Sequence, residues 1–246
     1  MRKLFIITKE DFMNLVKNPM WVFYVTLFPI LLVAILGFMT KDSYGSGFTS
    51  YNYYGITLMI YSILMGGMTS ANAFMEERIK KPNMRIIYSP GSISYIYLSK
   101  ILATLVFSAV FHLIDMLILC TLYNIKINHV LDIVILLGLT ELFSVTLGVM
   151  LCCIFKKEAI TNQLQSILVN IMAIFGGLMF SLDGLGTTVK TISSMSPAKW
   201  LTNTIFQIIY DNNMEGFLPT VFLLSSVIVI MIMVCKLTFR KEDCIC

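Results

Sequence analysis

The chain has 246 residues, 57% of them hydrophobic and 13% charged, and a formal net charge of +4. A soluble domain carries roughly 45–50% apolar and about 25% charged residues, so this composition, with a mean hydropathy of +0.83, describes a membrane protein and not a water-soluble globule. It excludes a disordered chain, because aromatic residues reach 12%, and a disulfide-stapled secreted scaffold, because six cysteines are sparse over this length.

In chain order, residues 3–18 set Phe5, Phe12, Leu15 and Val16 at helical spacing among Lys9, Glu10 and Lys17. That pattern predicts a basic amphipathic helix at the membrane interface over residues 1–19, ended by Asn18-Pro19. It serves as an anchor or as an elbow that also meets a cytoplasmic partner, and the two are compatible. A span needs roughly 20 mostly apolar residues. Six stretches qualify: 20–40, 53–75, 101–123, 130–155, 164–182 and 217–239. The first begins too late, runs too long and lacks the small-residue cleavage site of a signal peptide. The longest piece between spans has 34 residues, so no extramembrane domain with its own core is expected. No internal repeat is visible.

Basic residues set the orientation. With Met1 inside, 14 lysines and arginines fall on the cytoplasmic side and 4 outside: Lys41, Lys126, Lys190 and Lys199. Both termini are therefore expected in the cytoplasm. The charge is explained by this bias and gives no sign of nucleic acid. Cys120 lies near an outer helix end, Cys152, Cys153 and Cys235 at inner ends, and Cys244 and Cys246 in the tail. No two outer cysteines can pair, so no disulfide is expected. The tail cysteines fit a mobile reduced tail, with metal binding or lipidation as alternatives.

Residues 76–100 are the largest inner loop, punctuated by Pro82 and Pro90-Gly91. Ile86, Ile87, Tyr88, Ile93, Tyr95 and Tyr97 make it too apolar for a solvated connector and point to a docking surface. Residues 183–216 form the long outer loop, where Ser196-Pro197 predicts a helix start. Trp200, Leu201, Ile205, Ile208 and Ile209 give that helix an apolar face suited to the outer leaflet, and Gly176-Gly177, Gly184 and Gly186 allow a bend before it.

Ionisable groups inside spans are costly in lipid. His112 and Asp115 lie three apart in span three and Glu141 lies in span four, joined by a six-residue link that makes the spans antiparallel neighbours. Glu141 is expected to meet His112 or Asp115, either as a polar staple between helices or as a cation or proton site. Span two carries Gly66, Gly67, Thr69, Ser70, Ala71, Asn72 and Ala73, a small-residue face that suits close helix contact at a subunit interface or a cavity wall. Asn170 is an isolated polar residue of span five. The chain has no G-x-x-x-x-G-K-[ST] phosphate loop, no H-E-x-x-H, no G-x-S-x-G and no metal-spaced Cys/His set, so no enzymatic activity is expected of it.

From Glu76-Glu77-Arg78 to Lys100 the sequence resembles permease subunits of type-2 ATP-binding-cassette (ABC) exporters, the type V architecture. Glu76, Glu77, Arg85, Ile86, Ile87, Ser89, Pro90 and Lys100 fall in that family's places, while Lys81-Pro82 stands where Gly-Thr is usual. The resemblance implies an all-α membrane protein forming one transmembrane domain over residues 1–246, in the plasma membrane. It implies ABC ATPase subunits gripping Glu77, Arg85, Ile86, Ile87, Tyr88 and Pro90, and a second permease subunit, identical or related. ATP and magnesium would be held by the ATPase, with no cofactor on this chain. Spans two and five would line the path, through Thr69, Asn72, Asn170 and Phe175. The substrate class stays open among drugs, peptides, lipids and glycans. Two other functions compete: a proton-coupled carrier using His112, Asp115 and Glu141, and a non-transport scaffold or sensor.

Overall fold

Asn18 closes one helix and opens the next. Its side-chain Oδ1 accepts from the Met20 amide at 3.1 Å, and Pro19 takes the first helical position. In this computed structural model the described residues are 2–45, 47–75, 94–125, 127–180, 182, 186–194 and 196–239. The expected coupling residues Glu77, Arg85, Ile86, Ile87, Tyr88 and Pro90 lie outside them, as do Gly184 and the tail cysteines.

The described elements are helical throughout. Helix α1 (Arg2–Val16) precedes α2 (Pro19–Val25) and α3 (Leu27–Met39), which together make the first apolar segment. The break between them has a local cause: Pro29 has no N–H to give the Val25 carbonyl four residues back, and Thr26 Oγ1 turns onto the Val22 carbonyl at 2.7 Å. Then come α4 (Ser50–Met75), α5 (Ser94–Tyr123), α6 (Val130–Phe155), α7 (Glu158–Gly176), the short α8 (Thr187–Ser193), α9 (Pro197–Phe206) with a π-helical turn at Gln207–Asp211, and α10 (Phe217–Thr238). Among the described residues six helical segments are long and apolar enough to cross a membrane: Pro19–Met39, α4, α5, α6, α7 and α10.

Two ranges differ from expectation for a physical reason. Helix α5 starts at Ser94 and not at 101, because its first turns also have a core to enter. Ile96 and Tyr97 are buried, and Tyr97 packs edge-on against Phe239 with ring centroids 5.9 Å apart. Tyr97 is therefore internal packing and not part of a docking surface. Helix α7 begins at Glu158, six residues ahead of the expected 164, and ends at Gly176, six ahead of 182. Its first turns are polar but still helical, with Glu158 at the positive end of the helix dipole. At its other end Gly177 adopts φ 70°, the left-handed region open to glycine, and the Leu178 amide reaches back to the Ala173 carbonyl at 2.9 Å. The helix start at Ser196-Pro197 is as expected, although the Ser196 hydroxyl donates to the Met172 carbonyl of α7 (3.2 Å) and makes no cap bond.

Helix α4 is the hub. It packs on α3, α5, α6 and α7, while α6 also holds α10 and α1 lies along α5. At the α4–α6 crossing the backbones come so close that a Cβ on Gly148 would collide with the Gly67 carbonyl. Ser144 Oγ fills that crossing, donating to the Leu64 carbonyl (2.6 Å) and accepting from the Gly67 amide (2.9 Å), and Ser70 Oγ donates to the Val145 carbonyl (2.9 Å). The small-residue face of α4 is thus spent on contact inside the chain and is not a subunit interface. Polarity runs opposite to that of a soluble bundle. Leu31, Ile35, Val106, Leu117, Ile171 and Phe222 point outward, and Ser108, Ser144, Thr104, Thr140, His112, Asp115 and Glu141 point in.

Candidate functional site: the polar centre of the helix bundle

The antiparallel pairing of α5 and α6 brings His112 and Glu141 to the same level. His112 Nδ1 lies 2.7 Å from Glu141 Oε2, and the other ring nitrogen, Nε2, lies 3.2 Å from Ser62 Oγ on α4. His112 is 4% exposed and Glu141 1%. The imidazole therefore links three helices through two hydrogen bonds. Of the two expected partners for Glu141, His112 is the one it meets. Asp115, one turn away on α5, is 1% exposed, and neither of its carboxylate oxygens has a hydrogen-bond partner among the described residues. Glu141 Oε1 and Ser108 Oγ are likewise buried without one.

A cleft of about 60 Å³ reaches this layer between α5 and α6. It is lined by His112, Glu141, Ala109, Leu113, Val134 and Gly138 among others. It exists because two residues there are small: a Cβ placed on Gly138 would meet nothing within 4 Å. Among the described residues no group of three or more His, Cys, Asp or Glu side chains could hold a metal ion. The layer offers proton donors and acceptors.

A second polar seam ties α4 to α7 along its length. Tyr53 donates to the Gly177 carbonyl, and Tyr61 to Asn170 Oδ1 at 3.1 Å. With its amide turned to suit both neighbours, Gln165 donates to the Gly67 carbonyl (3.2 Å) and accepts from the Met68 amide (3.3 Å). Asn162 donates to Asn72 Oδ1 at 2.8 Å. The seam separates the four residues expected along a path. Thr69 is fully buried within the protomer, and Asn72 is buried at 6% exposure; Asn170 is half-buried, and Phe175 is exposed. Tyr61, Asn162 and Gln165 were not anticipated. Their signal was antiparallel register between α4 and α7, which the misplaced start of α7 concealed.

A third buried contact also went unread. Asp11 of α1 pairs with Lys100 of α5 and accepts from Ser99 Oγ at 3.0 Å, with Lys100 only 1% exposed. Leu15 and Phe12 pack beside it against Val25, Ala73 and Phe107. Helix α1 is thereby docked onto the base of α5, while Phe5 on its far side is exposed. At the opposite end, Tyr44, Phe48, Tyr53, Phe206 and Tyr210 form an aromatic cluster, in which Phe48 and Tyr210 meet edge-on at 5.0 Å. Burial pushes the Tyr210 phenol up to about 12, against the lowering effect of a hydrogen bond with Asn52, and burial with the neighbouring Tyr54 pushes Tyr44 up to about 12. Both rings stay neutral at physiological pH.

Six long apolar helices around a polar, hydrogen-bonded centre define a multi-pass membrane protein. Residues 42–236 match the family model described as ABC-2 family transporter protein, and the chain belongs to that family. It is accordingly a permease component of an ABC transporter, the membrane part and not the ATPase. No curated protein matched the chain.

Proposed function

We propose that the chain is the membrane-spanning permease of an ABC exporter in the plasma membrane. It pairs with a second permease subunit, identical or related, and moves its substrate with ATP hydrolysed by separate ATPase subunits that hold the nucleotide and magnesium. The observation that carries this is family membership across residues 42–236. The basic-residue asymmetry supports cytoplasmic termini, which puts α1 and residues 76–93 on the side where an ATPase would dock. Helix α1, clamped by Asp11 to the base of α5, is the interfacial elbow in this reading. Residues Glu77, Arg85, Ile86, Ile87, Tyr88 and Pro90 are the grip for the ATPase. Asn170 and Phe175 on α7, with Tyr61 on α4, are the side chains best placed to face a path between subunits, because they reach the protomer surface.

The test is co-expression with ABC ATPases of the same genome, followed by reconstitution of the complex that co-purifies. Vesicles should accumulate substrate only with ATP, and hydrolysis should rise with substrate. Transport driven by a proton gradient with no ATPase present would overturn the reading in favour of a secondary carrier.

A further inference from the structure

We propose that the groove between α9 and the first turns of α10 is a lipid site that holds an acyl chain of a membrane phospholipid. It rests on the apolar spans and not on the ATP-driven transport read above, so the two stand or fall separately.

Pro197, Trp200 and Leu201 of α9 and Pro219, Leu223 and Leu224 of α10 line a cavity of about 200 Å³. Its shape follows from how the helices meet. Helix α9 touches α10 at Thr204, whose hydroxyl lies 3.1 Å from that of Thr220, and a Cβ on Gly216 would strike Thr204 Oγ1 at 2.8 Å. The first turn of α9 is tied to α7 instead. There the Ser196 hydroxyl donates to the Met172 carbonyl at 3.2 Å, and Ala198 packs so closely that a Cβ on Gly176 would lie 2.7 Å from its own. Held at both places, α9 cannot close on Leu223 and Leu224. Leu201 and Leu224 are buried at the floor, and Pro197, Trp200 and Pro219 are exposed at the rim.

Place, polarity and size together name the occupant. Helix α10 is long and apolar enough to span a membrane, and Leu218 and Phe222 beside the groove are strongly exposed. The groove is thus continuous with a face that meets acyl chains. From Gly216 to Leu224 it descends roughly 12 Å along the helix, at about 1.5 Å per residue, in the direction in which acyl chains lie. The polar side chains of its lining are already engaged: Thr220 with Thr204, and the Trp200 indole N–H with the Ser194 carbonyl. No side chain there is left to hold a headgroup or the two to four polar partners that a buried water needs. A dry cavity of about 150 Å³ takes a benzene ring, so this one takes a stretch of roughly eight chain carbons.

The experiment uses the fluorescence of Trp200. The chain has two tryptophans, and Trp21→Phe leaves Trp200, on the wall of the groove, as the only one. The full-length Trp21→Phe permease in detergent is titrated with phosphatidylcholine carrying bromine on its acyl chains, a contact quencher of indole emission. Quenching should saturate at a low lipid-to-protein ratio and reverse on adding unbrominated lipid. Leu223→Phe, which fills the groove, should lose the saturable part and keep only the gradual quenching of general partitioning. If thermal unfolding shows that Leu223→Phe does not fold, Pro219→Phe at the rim takes its place. Quenching that rises without saturation, or saturable quenching that a folded filling variant leaves unchanged, overturns the proposal. So does a Trp200 that brominated lipid leaves unquenched, the result expected if a second copy of the chain covered the groove.

Discussion

Glu141 sits where a carboxylate is most expensive, and His112 is what makes its burial tolerable. Taking one member away leaves the other buried without its hydrogen-bond partner, a change that costs about 1–3 kcal/mol or more, whereas replacing both with apolar groups of the same shape can be nearly neutral. His112→Leu and Glu141→Leu should therefore each lower the thermal midpoint sharply, and the double variant should recover most of the loss. Unfolding in detergent micelles measures this, and a double variant as unstable as the sum of the singles would show that the two residues act separately. The pair was legible in the sequence because a six-residue link forces α5 and α6 antiparallel and puts the two residues at equal depth. Asp11 with Lys100 was not. Asp11 is 88 residues from Ser99 and lies in a helix whose visible pattern was basic and apolar, so nothing local marked the one acid that turns inward.

The helices pack by small residues at some crossings and leave small residues unfilled at others, and composition does not tell the two apart. Gly148 and Gly138 lie on the same helix with opposite surroundings. A methyl on Gly148 strikes the backbone of α4, where overpacking costs typically about 1–3 kcal/mol. A methyl on Gly138 enters open space in the cleft and gains up to about 1 kcal/mol of helix propensity. Gly148→Ala should lower the thermal midpoint, and Gly138→Ala should hold or raise it; the reverse order would mean that α4 and α6 do not cross as described. The same distinction explains what was readable at this scale. Helices α4, α6 and α10 follow apolar runs and fell close to their expected ranges. Helix α7 did not, because its amino-terminal turns are polar and its carboxyl end is set by the left-handed Gly177, a backbone event rather than a hydropathy signal. Helix α8 carries no apolar run and was not foreseen.

Across the whole molecule, the six apolar segments were written in hydropathy alone, while the polar seam between α4 and α7 required the correct register of both. In the proposed assembly an ATPase can pull on the permease only through surfaces on its own side of the membrane, and residues 76–93 and α1 are the longest segments this chain presents there, beside the short Lys156-Lys157 link and the tail. In that assembly Ile86, Ile87 and Tyr88 are apolar residues on the ATPase side, and burying one such side chain in a groove of the ATPase is worth about 1.5–3 kcal/mol. Arg85 and Glu77 would contribute less, as charges at the rim. The double variant Ile86→Ser/Ile87→Ser should therefore lose ATPase co-purification or uncouple hydrolysis from transport. Its own thermal midpoint should match the native permease, because these residues lie outside all six spans. Co-purification, substrate-stimulated hydrolysis and the unfolding midpoint of the same preparation separate the outcomes. Lost association with an unchanged midpoint places the coupling surface on this segment. Normal assembly with normal stimulated hydrolysis moves it to α1, where Asp11→Asn, which removes the buried counter-charge facing Lys100, should then weaken coupling instead.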